Sequence, residues 1–199
     1  MNLNQVLVAA FQGVRAIPDE GIRPRDIHRH RSGRFVSELG RLFREAYAAR
    51  PNHVVFNRGW MANKPLYGLT EFLFDLSVCK TGMLPEDLHL GAVPFIKALE
   101  WCIESEFERH QHVEILKDNS KLFIADARYK LYIAPAAPPA WLARMLHFTA
   151  RSNRTGRLWY AQVPHPDTWA TGAGTVTLYC HGGDDWREDL GPEVGIEDA

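Results

Sequence analysis

Residues 98–107 read ALEWCIESEF, and the reading of the fold turns on them. Leu99, Trp101, Ile103, Ser105 and Phe107 fall on one side of an extended chain, and Glu100, Cys102, Glu104 and Glu106 fall on the other. Successive side chains of a strand point to opposite faces, so the pattern predicts a β-strand with one bulky apolar face and one face of carboxylates. Upstream, TEFLFDLSVCK at 70–80 alternates in the same way: Phe72, Phe74, Leu76 and Val78 oppose Glu71, Leu73, Asp75 and Ser77. TGMLPEDLHLGAVPF reads as a long connection between these two strands. Downstream, a helix is expected from about His112 to Ala125, then a strand, YKLYIA, at 129–134.

Further out, Leu3, Val6, Leu7, Ala10, Phe11 and Val14 recur at helical spacing before Pro18. IPDEGIRPRDIHRHRSG is rich in Pro, Gly and Arg and reads as a loop. A second helix is expected from about Phe35 to Ala49, with Phe35, Leu39, Leu42, Phe43 and Ala46 as its apolar stripe and Glu38 and Glu45 along one edge. HVVF at 53–56 is a short strand. PPAWLARMLHFTARSN opens on proline and predicts a helix, followed by the strands RLWYAQV and GTVTLYCH. This mixed order argues an α/β layered domain around a central sheet.

The 199 residues carry 23 Lys and Arg against 24 Asp and Glu, and 46% are hydrophobic, which fits one soluble domain with a sizeable core. No apolar run reaches the length of a membrane span, and the N-terminal apolar run lacks the basic residue that opens a signal peptide, so a cytoplasmic location is expected. Cys79, Cys102 and Cys180 are odd in number and widely spaced; buried free thiols are expected rather than a disulfide or a zinc site. Charge is unevenly spread. Ile22–Arg50 holds eight Arg against three acids, enough to contact phosphates, whereas Asp184–Ala199 holds seven acids against Arg187 and is expected to form a flexible acidic tail after one domain spanning 1–183.

Consecutive strands are commonly neighbours, and here both carry acids opposite their bulky residues. Pairing would bring Asp75, Glu104 and Glu106 together, which is costly unless a cation neutralises them or protons are taken up. Clustered carboxylate oxygens suit Mg²⁺ or Mn²⁺, and such an ion with open positions is the apparatus of phosphodiester hydrolysis. The competing structural reading is that acids alternating along an edge strand simply face solvent.

Phe35–Ala134 resembles the PD-(D/E)xK nuclease superfamily, the restriction-endonuclease-like fold, in its order of helix, three strands, helix and strand. The resemblance implies an αβββαβ core over about 35–134, with a central mixed sheet flanked by helices and an added C-terminal helix and strands. It matches Asp75 to the metal-binding Asp of the second core strand and Glu104 to the first acid of the (D/E)xK motif. Glu106 stands at the lysine position, so the motif reads ExE, a form known among some restriction endonucleases. Glu106 is then a metal ligand or a general base. The helix before the strands often carries another acid, here Glu38, with Glu45 the alternative. ESEF followed by EILKDNSKLF also looks like a bacterial group of this fold in which an Asp, a variable pair and Lys-Leu follow the strand; Asp118 and Lys121 match.

Lys121 on that following helix can replace the strand lysine, orienting the attacking water or stabilising charge on phosphate; the competing reading is an exposed pair with Asp118. The implied function is Mg²⁺- or Mn²⁺-dependent hydrolysis of DNA, or of RNA, with a homodimer as one admissible assembly. An inactive member of the fold that binds nucleic acid or protein is the alternative, and a small-molecule α/β enzyme is a second. HRHR at 28–31 reads as a flexible loop or a phosphate grip, and His110 and His112 as a helix-entry loop or metal ligands.

Overall fold

A computed structural model describes residues 1–84, 93–107, 112–171, 174–182 and 185–196. His110, and the side chain of His112, lie outside the described residues. The helices are α1 (Leu3–Arg15), α2 (Ile27–Tyr47), α3 (Lys64–Tyr67), α4 (His112–Ile124) and α5 (Pro139–Ser152). The strands are β1 (His53–Asn57), β2 (Leu76–Met83), β3 (Pro94–Ser105), β4 (Ala127–Pro135), β5 (Arg157–Val163), β6 (Thr177–Gly182) and β7 (Asp185–Glu188). They form one mixed seven-stranded sheet in chain order. β1, β2 and β3 run antiparallel as a meander, β3, β4 and β5 are parallel, and β6 and β7 return antiparallel. Parallel neighbours need crossovers, and α4 and α5 supply them.

Each face of the sheet has its own core. α1 and α2 cover the face bearing Leu76, Val78, Trp101, Ile103, Leu131 and Trp159. Trp101 lies tilted against Tyr129 at 4.7 Å and meets Phe43 of α2 edge-on at 5.5 Å. α4 and α5 cover the opposite face, where Ile115, Leu122 and Met145 meet Cys102, Tyr132, Leu158 and Tyr160. Both helical layers therefore bury an apolar stripe against the sheet, which makes the fold α/β. Asn2 caps α1 reciprocally with Gln5: Gln5 N–H donates to Asn2 Oδ1 at 2.9 Å, and Asn2 N–H to Gln5 Oε1 at 3.0 Å. The three cysteines are buried free thiols.

Four local expectations differ from the structure. β2 begins at Leu76 rather than Thr70, because Leu73 takes a left-handed conformation (φ 65°) that breaks the alternation and sends Phe74 into the α4/α5 core. In β3, Val78 pairs with Trp101 but Cys79 pairs with Leu99, so Glu100 is a bulge. The bulge moves Leu99 to the α4/α5 face. It turns Glu100 toward α2, where Tyr47 O–H donates to it at 3.4 Å and His53 and Lys80 each lie 3.5 Å away.

Residues 28–31 are helical, not a loop, because α2 starts directly after the turn at Pro24–Asp26. The acidic C-terminal stretch is not a free tail over its described part. It adds β7 to the sheet, bonds Pro192 O to Leu3 N–H at 2.9 Å, and buries Val194 in the α1/α2 core. Gly195 has φ 84°, and a Cβ there would come within 2.2 Å of Ala46 O, so only glycine lets this segment lie against α2.

Candidate active site at the strand ends

The antiparallel ladder between β2 and β3 ends on the pair Leu76–Ile103. One residue further on each chain come Asp75 and Glu104, and the charge of Asp75 acts on the Glu104 carboxyl. Asp75 Oδ2 accepts two hydrogen bonds from the last residue of β3, from Ser105 N–H at 2.9 Å and Ser105 O–H at 2.6 Å. These bonds hold the entry to β2 against the exit of β3.

Glu104 lies on the face opposite Trp101 and Ile103 and is 2% exposed. Lys121, in the last turn of α4, reaches it: Nζ lies 3.2 Å from Glu104 Oε1 and 2.8 Å from Asp118 Oδ1. The lysine thus bridges an acid of its own helix to the acid of the strand. Burial raises the Glu104 carboxyl to about 8, the Asp75 charge adds to the rise, and Lys121 opposes it. Asp75 is also raised by burial, against the two Ser105 hydrogen bonds and Lys121. Burial pulls Lys121 down, but Asp118 and Glu104 together outweigh it and hold the ammonium above its ordinary value. Asp118 therefore braces both the helix and the lysine.

Glu106 sits just past β3, half-buried, with its backbone N–H donating to Ile133 O at 2.9 Å. It lines a cleft together with Asp75 and Ser105, whereas Glu104 and Lys121 lie behind that wall and do not line it. Asp75, Glu104 and Glu106 do not form a set of three with ligand atoms all within 4.8 Å. Glu38 lines the same cleft, but its two oxygens are taken bidentately by Arg41, at 2.6 and 2.9 Å, and the guanidinium holds its carboxyl below the ordinary value. Glu45 also pairs with Arg41 and does not line the cleft.

The cleft has a volume of about 1320 Å³ and runs along α2. Among the described residues it is lined by Arg23, Arg29, Arg34, Arg41, Arg44 and Arg58 against four acids, Asp26, Glu38, Asp75 and Glu106. Five of the eight arginines of the basic segment read from the sequence thus line the same cleft as Asp75. Arg44 stacks on the Trp60 ring at 3.8 Å and donates to Asn57 Oδ1. Gly40 permits that arrangement, since a Cβ there would come within 2.7 Å of the Asn57 side chain.

Sequence reasoning missed Ser105 as the clamp on Asp75. Its place between two acids was a signal, but alternation alone assigned it to the core side. Arg58 and Trp60 carried no spacing signal, because they stand on a connection. Comparison with protein-family models, with curated proteins and with solved structures returned no match.

Proposed function

We propose that this chain is a restriction-endonuclease-like, divalent-metal-dependent phosphodiester hydrolase acting on DNA, with RNA as the alternative substrate. The observation that carries the reading is the Glu104–Lys121 pair of β3 and α4, on which the charge of Asp75 acts from just before β2, with Asp75 itself opening onto an arginine-lined cleft. Three further features support it. The order α2, β1, β2, β3, α4, β4, with the short α3 between β1 and β2, matches the αβββαβ order and mixed sheet that the sequence resemblance implied. Asp75 opens onto the cleft, so a phosphate drawn in by the arginines would meet a carboxylate wall. The raised Asp75 and Glu104 carboxyls are a donor set that a hard cation fits, because a cation offsets both burial and mutual repulsion.

Asp75 and Glu104 would hold an Mg²⁺- or Mn²⁺-type ion, with Glu106 close enough along the chain to join as ligand or base. Such an ion supplies Lewis acidity to a phosphoryl oxygen and a lowered pKa to water. The chain's own groups do the rest. Ser105 fixes the direction of Asp75. Lys121 places a positive charge beside Glu104, where it can stabilise charge growing on phosphate. The arginines hold the backbone of the substrate. Glu38, bound by Arg41, supports the cleft wall.

A second reading is favoured by one observation: Asp75 Oδ2 and both Glu38 oxygens are already engaged by protein donors. On that reading the chain is an inactive member of the fold whose basic cleft binds nucleic acid. Calorimetric Mn²⁺ titration, followed by incubation with single- and double-stranded DNA and RNA, separates the two. Hydrolysis that Asp75→Asn and Glu104→Gln both abolish is expected. Binding of nucleic acid with no cleavage in any divalent metal would replace the first reading by the second, and neither binding nor cleavage would refute both.

A further inference from the structure

Among the described residues, the one set of three His, Cys, Asp or Glu side chains with ligand atoms all within 4.8 Å of one another is His28, His165 and Asp167. They come from the first turn of α2 and from the turn Pro166–Thr171 that follows β5. Asp167 Oδ2 lies 3.2 Å from His165 Nδ1, and Asp167 Oδ1 lies 3.9 Å from His28 Nδ1. The two imidazole rings are 4.9 Å apart. Ligands at about 2.1 Å from a common tetrahedral ion would stand about 3.4 Å from one another, so the set closes on an ion by movements of about 1 Å.

Buried contacts fasten the scaffold behind these side chains. Arg31, one turn along α2 from His28, is buried and donates to Pro166 O, and Asp19 balances its charge at 2.6 Å. Thr168 N–H and O–H both donate to His165 O at 2.8 Å. Trp169 anchors the turn in the core against Phe11 and Phe35, with its Nε1–H donating to Pro164 O. Asp167 N–H donates to His165 Nδ1 at 3.2 Å, a bond that an ion taking the Nδ1 lone pair would displace. His165 is buried, while His28 and Asp167 reach solvent. Supports of this kind, holding ligand side chains from behind, accompany working metal sites.

We propose that His28, His165 and Asp167 bind a late first-row divalent ion of the Zn²⁺ or Co²⁺ class, in a site separate from the Asp75–Glu104 pair. Two imidazoles and one carboxylate select such an ion over Mg²⁺ or Ca²⁺, which prefer all-oxygen shells. Three protein ligands leave an open coordination position. Since His28 also lines the arginine cleft, the ion adds positive charge at its rim and ties the Pro166–Thr171 turn to α2.

The test is titration of the full chain with Zn²⁺, and with Co²⁺ followed by visible absorption, alongside thermal melts. One tight equivalent with Co²⁺ bands of imidazole-ligated type and a rise in Tm is expected, apart from any weaker occupancy of Asp75 and Glu104 that shows no imidazole bands. His28→Gln and Asp167→Asn sit at solvent-reaching positions and keep the fold, as circular dichroism would verify. Each should weaken binding at least about tenfold, the loss that removal of outer supports alone can cause. The double variant Asp75→Asn/Glu104→Gln should keep the tight equivalent with its imidazole-type Co²⁺ bands. Absence of binding by the parent, undiminished affinity in either single variant, or loss of Zn²⁺ binding in the Asp75/Glu104 double variant would each overturn the assignment.

Discussion

Replacing Glu104 by Gln keeps the size and shape of the side chain and removes only its ability to ionise. The carboxyl has an ordinary value of 4.5 and is held at about 8 in the folded chain, chiefly by burial. Between those values the native state binds more protons than the unfolded state, so stability falls as pH rises through the window. Each pH unit is about 1.4 kcal/mol, which sets a ceiling of about 5 kcal/mol on the loss once pH exceeds 8. Relaxation and water entry on ionisation cut such penalties, so about 2–5 kcal/mol is expected. Glu104→Gln escapes this loss. Urea unfolding at pH 5, 7 and 9 should show parent and variant close together at pH 5 and the variant the more stable at pH 9. Mn²⁺ at pH 8 should stabilise the parent and leave the variant unmoved, because only the parent can ionise at that position. An equal difference between the two proteins at all three pH values would refute the account of Glu104 as a buried acid poised to release its proton.

Trp101→Ala removes a 1%-exposed ring that touches Phe43, Tyr129 and Trp159, and its Nε1–H bond to Tyr47 Oη; a loss of about 3–5 kcal/mol in denaturant unfolding is expected. Asn2→Ala breaks the reciprocal cap of α1 and should cost about 1 kcal/mol by the same measurement. Deleting residues 185–199 removes β7 and the buried Val194, so Tm should fall sharply; an unchanged Tm would show this segment to be dispensable. On the proposed function, Arg44→Met with Arg58→Met should flatten the dependence of log K on log salt by about 0.9 for each duplex phosphate contact removed, read by filter binding; an unchanged slope would refute the cleft as a DNA site.

The order of elements was legible because each carries its own period. The β5 strand RLWYAQV, the α1 stripe and the α4 periodicity all stand within a residue or two of where the spacing put them. The contact between Lys121 and Glu104 was also legible, since strand alternation and the helix after it are local rules that place these two side chains on one face.

Other features depend on packing between distant segments. The bulge at Glu100 is set by pairing with β2, and it alone decides that Leu99 and Glu100 exchange faces. Acidic composition suggested a free tail, yet Val194 and Gly195 find a place against α1 and α2 that no local pattern records. His28, His165 and Asp167 share no spacing at all. They meet because Trp169 and Arg31 fasten the Pro166–Thr171 turn to α2. Local periodicity thus determined which segments become strands and helices and which face of β3 carries Glu104. Only tertiary contacts decided which residues leave their expected face and which distant side chains become neighbours, because those outcomes minimise the energy of the whole packed chain rather than of any one segment.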